Sequence, residues 1–224
     1  MQVVPINKNT AKYFVERKHY SKSIPFFSYG FALVENDLIE GVTVFSPPLK
    51  AIEKYAFNSL DIKIYELSRL VIQSETKNAG SYLVSQSLKM LDRPCAVISY
   101  ADKYWNHCGI IYQSTNWFYT GANKSHDNLY LVDGKYLHTK TIIDKYKISN
   151  PTKWARDNNI PVKKPQPKHR YFQFCGSKKE RKEMWNDLRY PIFTKYPKCD
   201  KINYDSGEKI VMRKEKQLSI KELF

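Results

Sequence analysis

The segment from Ile62 to Ser99 constrains the fold more than any other part of the sequence. A long strand candidate, Ile62–Ile72, leads into a polar loop with one glycine. An amphipathic helix candidate over Ser81–Leu91 and a short apolar run, Cys95–Ser99, follow it. Strand, helix and strand in this order predict a sheet with helical cover. We therefore expect an α/β (α+β) fold.

The remaining apolar periodicity predicts further elements around this unit. They are a helix over Asn9–Lys18, a hairpin of Phe26–Val34 with Gly41–Phe45, a helix over Trp105–Tyr112, a strand over Trp117–Thr120, a hairpin over 129–138, a helix over Thr139–Tyr146, a strand over Arg170–Cys175 and a helix over Ser177–Leu188. Residues Ser149–Gln166 are rich in Pro, Asn and Lys and are expected to form a surface connection.

Charge points to a polyanionic partner. The 224 residues contain 37 Lys and Arg against 22 Asp and Glu, a net charge of +15. Residues 150–224 hold 19 basic and 9 acidic side chains, so the C-terminal third is the expected electrostatic footprint. Excess lysine that serves only solubility is the alternative. No apolar run approaches the roughly 18 residues that span a bilayer, so we expect a soluble protein without a membrane partner.

The four cysteines lack the paired spacing of a zinc finger. They are Cys95, Cys108, Cys175 and Cys199. In a cytosolic setting, reduced thiols are the expected state.

Polar residues lie where predicted strands end, the usual place for working groups in a sheet protein. Asp102 follows the apolar run at 95–99 and is either a base or metal ligand or the cap of a helix starting near Tyr104. The loop before Ser81 offers helix N-terminal amides to an anion. The stretch 107–121 is dense in polar-tipped aromatic residues, which suit either a flat heteroaromatic ligand or an ordinary core.

Five motifs in this order resemble the Mom family of phage DNA-modification proteins. They are His19-Tyr-Ser21, Glu66-Leu-Ser-Arg-Leu-Val-Ile72, Ser99-Tyr-Ala-Asp102, the run from His107 to Gly121, and Lys168-His-Arg-Tyr171. The resemblance implies a fold like GCN5-related N-acetyltransferases, with a central mixed sheet and helices on both faces. It also implies conversion of DNA adenine to an N6-carbamoylmethyl (acetamido-type) derivative, which protects phage DNA from restriction in the cytoplasm of the infected bacterial host.

The resemblance also implies roles for individual residues. The catalytic candidates are His19, Tyr20, Ser99, Asp102 and Tyr119, of which His19, Tyr20 and Asp102 are also candidate iron(II) ligands. An acetyl-CoA or related donor would bind Val71, Ile72, Asn78, Ala79, Gly80, Ser81 and Tyr112. DNA contacts are expected from Arg69, Gln113, Asn116, Trp117, Lys164, Lys168 and Arg170. For the last three the reason is the alternation of basic and aromatic residues over 163–172, for which a solvated loop is the alternative.

The implied architecture is a catalytic core over residues 1–150 and a basic extension over 151–224 that packs on the core and contacts DNA. The implied partner is double-stranded DNA from which the target base is flipped, with Trp105, Trp117 and Tyr119 stacking on it. The predicted function is compatible with a homodimer. Two alternatives remain, an acyl-CoA-dependent N-acyltransferase acting on a protein or small amine and a DNA-binding protein without catalysis.

Overall fold

A computed structural model describes residues 1–123, 127–199 and 208–213. The strands are β1 (Gln2–Pro5), β2 (Tyr29–Glu35), β3 (Leu38–Ser46), β4 (Lys63–Ile72), β5 (Cys95–Asp102), β6 (Phe118–Ala122), β7 (Leu129–Val132), β8 (Lys135–His138), β9 (Val162–Lys163) and β10 (Lys168–Cys175). The helices are α1 (Lys8–Lys18), α2 (Lys50–Tyr55), α3 (Ala79–Lys89), α4 (Ile110–Ser114), α5 (Thr139–Tyr146), α6 (Pro151–Asp157) and α7 (Lys178–Asp187). A 3-10 turn spans Lys103–Trp105.

Seven strands form the main sheet in the order β1-β2-β3-β4-β5-β10-β6. The β4–β5 pair is parallel, whereas the other neighbouring pairs are antiparallel. Parallel pairing ends at Glu66 and Ile98, although β4 continues to Ile72 and β5 to Asp102. Beyond that point the two strands separate, which opens the middle of the sheet at their carboxyl ends.

Helices cover both faces of this sheet. On one face α3 packs through Leu83, Val84 and Leu88 against apolar side chains of β2 to β5. On the other face α1 packs through Phe14 and Val15, and α7 packs through Met184. The predicted α/β (α+β) class, with a mixed sheet and helices on both faces, is therefore confirmed.

An irregularity in β4 sets which side chains point to each face. The register with β3 shifts between the pairs Phe45–Leu67 and Val44–Arg69, so Ser68 is the extra residue of a bulge. Before the bulge Leu67 packs on the α3 side, and after it Val71 packs on the α1 side. Such a bulge re-aims side chains next to a working site. Here it lies where β4 leaves β5.

A second, three-stranded sheet of order β8-β7-β9 lies between β6 and β10 in the chain. Together with α5 and α6 it forms its own small core from Tyr130, Val132, Ile142 and Ala155. The prediction of a surface connection over Ser149–Gln166 is therefore wrong. Its apolar residues are too widely spaced to signal a helix, yet Trp154 packs on this core.

Three further features differ from the sequence-based expectations. The helix predicted at Trp105–Tyr112 is replaced by the 3-10 turn and α4, and α2 was not predicted. The main sheet contains strands from both sides of the predicted boundary at residue 150. Strand β10, which follows that boundary in the chain, lies between β5 and β6, which precede it. Residues 200–207 and 214–224 of the predicted extension lie outside the described residues. None of the described helices is both long and apolar enough to cross a membrane.

The expectation that all cysteines are reduced is wrong for one pair. Cys108 and Cys199 form a disulfide that closes a separation of 91 residues. Cys95 and Cys175 remain free and buried, directly opposite each other on β5 and β10. The disulfide ties the chain after α7 to the turn that precedes α4.

Candidate active site

A cavity of about 780 Å³ lies where β4 and β5 separate. Its wall is built from four parts of the chain, which are the end of α1 at 18–20, β4 with its loop at 67–75, the end of β5 at 100–101, and the segment 106–112 with Cys199. This volume falls in the range of small-molecule sites. The structure therefore brings the predicted residues His19, Tyr20, Val71, Ile72 and Tyr112 to one cavity.

Tyr112 lines this cavity and forms a hydrogen bond with the buried Ser99, which does not line it. Ser99 Oγ donates to the Leu67 carbonyl oxygen at 2.7 Å and lies 2.8 Å from Tyr112 Oη. Ser99 thus bridges β4 and β5 just past their last backbone pair. Burial raises the pKa of Tyr112 to about 12, so its hydroxyl stays protonated at neutral pH. The pair therefore offers a neutral, fixed hydroxyl to whatever fills the cavity.

His19 reaches the cavity as a neutral imidazole. Burial, with Arg69 and His107 nearby, lowers its pKa to about 3. The backbone N–H of Ser21 donates to His19 Nδ1 at 3.1 Å, and Ser21 Oγ lies 2.8 Å from the same nitrogen. Since Nδ1 accepts from an amide, the ring proton is on Nε2. His19 is therefore a hydrogen-bond donor through Nε2, not a base at that atom.

Glu66 begins the second of the five motifs, but the resemblance implies no role for it. It lies at the last β4–β5 pair, on the same face as Tyr100. Burial raises its pKa, while the charges of Arg69 and Lys168 act in the opposite direction. An acidic residue inside an otherwise apolar strand is the sequence signal that could have identified it. Glu66 is not itself among the residues that line the cavity, but its chain neighbour Leu67 and Tyr100 on its own face are, so its carboxylate is a candidate proton acceptor.

Asp102 caps the 3-10 turn, which is one of the two alternatives stated for its position in the sequence. One oxygen, Oδ1, accepts from the backbone N–H of Tyr104 at 3.0 Å, and the other, Oδ2, lies 2.9 Å from Lys168 Nζ. Both oxygens are therefore engaged. Asp102 is not among the residues that line the cavity, and its catalytic role stays a prediction.

The three predicted iron ligands do not fit an iron(II) site. Asp102 is engaged by Lys168 and a backbone amide, and His19 carries its proton on the nitrogen that would have to bind the metal. The positive charges of Arg69 and Lys168 act on His19 and oppose a cation there. No group of three or more His, Cys, Asp or Glu side chains suited to a metal occurs within residues 1–123, 127–199 and 208–213.

Only part of the predicted donor-binding set lines the cavity, and the predicted anion-binding turn does not. Val71 and Ile72 line it, whereas the turn of Asn78, Ala79, Gly80 and Ser81 does not. A Cβ on Gly80 would lie 2.8 Å from Ile111 Cδ1, so that glycine makes room for α4 and not for a ligand. The amides of Gly80 and Ser81 do lie in the first turn of α3, where a helix leaves donors without intrahelical acceptors. These residues do not fit a complete site for the coenzyme A pyrophosphate.

Most of the predicted DNA-contacting residues are engaged inside the protein. Gln113 Nε2 donates to the backbone oxygens of Cys108 and Pro197, and the Asn116 carbonyl accepts from Gln173. Arg69 Nε donates to the Ser23 carbonyl oxygen. Arg170 Nε donates to Thr120 Oγ1, and the Arg170 guanidinium carbon lies 3.6 Å from the Tyr190 ring centroid. Lys168 pairs with Asp102, and Lys164 is exposed.

Two predicted aromatic contacts need correction. Trp117 is fully buried between Tyr112 and other core side chains, so its ring cannot stack on a base. The Tyr119 hydroxyl lies 2.9 Å from His169 Nδ1, and Tyr119 is not among the cavity residues. The polar-tipped aromatic residues at 112–119 therefore belong mostly to the protein core, which is the second of the two alternatives stated for this stretch. Trp105, in contrast, is 38% exposed and packs on Tyr20 at the cavity wall.

The chain is similar to several solved structures at low sequence identity. No curated protein matches the chain. Similar solved structures include an aminoglycoside 6'-acetyltransferase of type Ii, with 13% identity over 80% of this chain and 99% of that one, at a TM-score of 0.45. Another is the aminoglycoside 6'-N-acetyltransferase from Enterococcus faecium, with 12% identity over 80% and 99% of the two chains, at a TM-score of 0.42.

The sequence matches the Mom protein family over residues 1–198. That range contains both sheets and, apart from Cys199, every residue that lines the cavity. The motifs that first suggested the resemblance, from His19 to Tyr171, fall within it. The match covers most of the 224 residues, and the chain therefore belongs to the Mom protein family.

Proposed function

We propose that this protein is a transferase that modifies adenine in DNA at N6, adding a carbamoylmethyl (acetamido-type) group that protects phage DNA from restriction. The observation that carries the proposal is the cavity between the diverging ends of β4 and β5, in a chain of this family. Its wall combines aromatic rings with a few fixed polar groups, the composition expected of a heteroaromatic ligand site.

In this proposal the adenine is flipped out of the duplex and enters the cavity. N6 lies inside the base pair, and extrusion costs a few kcal/mol, which stacking in the pocket offsets. Adenine ring nitrogens are acceptors, and His19 Nε2 offers them a donor. Tyr112 Oη, whose own proton goes to Ser99 Oγ, offers an acceptor to the N6 amine. The rings of Tyr20 and His107 lie 5.9 Å apart between centroids beside them. These neutral groups suit a neutral purine.

The N6 amine is a weak nucleophile because its lone pair is delocalised into the ring. In the proposed step the bond between N6 and the methylene carbon forms while the bond from that carbon to the donor's leaving group breaks. The leaving group departs with the electron pair, and the N6 proton passes to a base. Glu66 suits that role because burial raises its pKa toward the working pH. A thioester such as acetyl-CoA would instead leave an acyl amide on N6, so the proposed donor carries an activated two-carbon amide.

Nucleoside mass spectrometry on plasmid DNA from cells that express the protein tests this function. We expect a modified deoxyadenosine with the mass of the carbamoylmethyl product. Glu66→Gln, which keeps size and removes the base, should lower its yield by about 100-fold. Glu53→Gln on α2, away from the cavity lining, is the matched control and should leave the yield unchanged.

Other outcomes would favour the alternatives. An acyl amide on N6 would identify an acyl-CoA-dependent enzyme acting on DNA. Acylated protein or small amines with unmodified DNA would identify an N-acyltransferase of another substrate class. Unmodified nucleosides together with salt-dependent DNA binding would identify a DNA-binding protein without catalysis. Each of these results would overturn the proposal.

A further inference from the structure

A line of exposed aromatic rings runs from the small sheet to the cavity. Tyr104 and Trp105 of the 3-10 turn lie 5.4 Å apart between ring centroids, and Trp105 lies 5.2 Å from Tyr20 at the cavity wall. At the outer end, Tyr136 of β8 comes close to Tyr104 through a shared lysine, Lys163. We call Tyr136, Tyr104, Trp105 and Tyr20 the aromatic track.

Lys163 links the two sheets at this track. Its Nζ lies 3.5 Å from the Tyr136 ring centroid and 5.7 Å from that of Tyr104. Such contacts hold an ammonium over a ring face while it stays available to solvent. The rings are exposed even so, with 62% of Tyr104 and 42% of Tyr136 accessible. Two large aromatic side chains are thus fixed in place at the surface without being buried.

The charge around the track is mainly positive, and the carboxylate that caps Tyr104, Asp102, is paired with Lys168. The three segments that meet here, 103–105, 135–136 and 162–164, contain no acidic residue. They contain four lysines, Lys103, Lys135, Lys163 and Lys164. Exposed rings interleaved with cations suit single-stranded nucleic acid, whose bases stack on the rings while its phosphates meet the lysines. An acidic peptide would use the lysines but would leave the rings without a partner.

We infer that Tyr104 and Tyr136 form a stacking platform for unpaired bases of the strand that carries the target adenine. This inference rests on the proposed function, because the track ends at the cavity where that adenine is placed. It adds a binding element that the small sheet supplies. A strand held by the platform would be fed toward the cavity with its bases already unstacked. The protein should therefore bind single-stranded or locally unpaired DNA more tightly than a perfect duplex of the same sequence.

Binding is measured by fluorescence anisotropy with a labelled single strand, a duplex and a duplex with a central bubble. Each of Tyr104→Ala and Tyr136→Ala should weaken binding to the single strand by about tenfold. The corresponding Phe variants should bind as the wild type does, because stacking needs the ring and not the hydroxyl. Lys163→Gln should reduce the slope of log affinity against log salt by about one.

Tyr55→Ala is the matched control for the alanine variants. Tyr55 lies on α2, is 50% exposed, and also carries a lysine over its ring, with Lys54 Nζ at 5.2 Å. It should bind DNA as the wild type does. A loss equal to that of Tyr136→Ala would mean that any exposed tyrosine matters and would overturn the inference, as would alanine variants at 104 and 136 that keep full affinity.

Two further measurements distinguish lost stacking from a poorly folded alanine variant. Ultraviolet cross-linking of the wild type to iodouracil-substituted single strands should attach DNA to peptides containing Tyr104 or Tyr136; cross-links found only elsewhere would overturn it. Polyglutamate, an anion without bases, should bind the Phe and Ala variants equally. If the wild type binds DNA through the platform and yet leaves adenine unmodified, the proposed function fails and the binding surface stands.

Discussion

The cavity and the aromatic track handle charge in opposite ways. In the cavity, burial keeps His19 neutral with a pKa of about 3 and keeps the Tyr112 hydroxyl protonated with a pKa of about 12. On the track, lysines lie over exposed rings, and Lys163 is shared by two of them. Under the proposed function, this difference would hold the polyanion outside, by cations in water, and receive the neutral base inside, by neutral groups.

The same difference separates two tryptophans that the sequence does not distinguish. Trp117 is fully buried, whereas Trp105 is 38% exposed. Trp117→Ala should lower the free energy of unfolding by about 3–5 kcal/mol, the usual cost of a large core truncation. Trp105→Ala should cost about 1 kcal/mol or less. Urea denaturation measures both. A Trp117→Ala protein of unchanged stability that had lost DNA binding would restore the predicted DNA contact.

The disulfide at the cavity wall gives the next largest expected effect. Cys199→Ser should lower the free energy of unfolding by about 3 kcal/mol, because the bond closes a loop of 91 residues. Thermal unfolding with and without dithiothreitol measures it. The reductant should lower the melting temperature of the wild type and leave the variant unchanged. Equal melting temperatures of oxidised and reduced wild type would show that the two thiols are not joined in solution.

What the sequence could predict follows from how local each signal is. The periodicity of β4, α3 and β5 lies within each segment, and so the central unit was predicted well. The disulfide pairs Cys108 with Cys199, 91 residues away, and no local pattern carries that information. Likewise, α6 was missed because its one large apolar residue, Trp154, is stabilised by a core that the neighbouring strands supply.

The site was predictable in some of its members but not in their partners. The resemblance to the Mom family implied roles for His19 and Tyr112, and both line the cavity, whereas Asp102 and Tyr119 do not. The engagement of Asp102 by Lys168 depends on the register of β10 against β5, which brings residues 66 positions apart side by side. Glu66 was overlooked because its environment, not its type, gives it a raised pKa.

Tyr112 tests whether the inner region does chemistry separately from binding. Tyr112→Phe removes the fixed hydroxyl beside Ser99 and should lower the rate of adenine modification by about 100-fold, with DNA affinity within about twofold of the wild type. Tyr82→Phe, whose exposed hydroxyl lies on α3, is the matched control and should modify adenine normally. Equal loss of affinity and rate in Tyr112→Phe would mean that the cavity is part of the DNA-binding surface.

The smallest expected effect is the pH dependence that the buried His19 imposes. Its folded pKa of about 3 lies below the unfolded value of 6.5, so between these values the unfolded chain binds more protons. The wild type should therefore lose stability as the pH falls through 6.5, by up to about 1.4 kcal/mol per pH unit from this residue.

Denaturation of wild type and His19→Gln between pH 7 and pH 5 isolates that contribution. Burial also lowers the pKa of His107 and His169, which add slopes of the same sign to both proteins, so the difference between the two proteins belongs to His19. The exposed His138, changed to Gln, is the control and should keep the full wild-type slope. If His19→Gln also kept the full wild-type slope, the His19 imidazole would be charged in the folded wild-type protein. The cavity would then be a cationic site like the track, and the contrast between the two regions would fail.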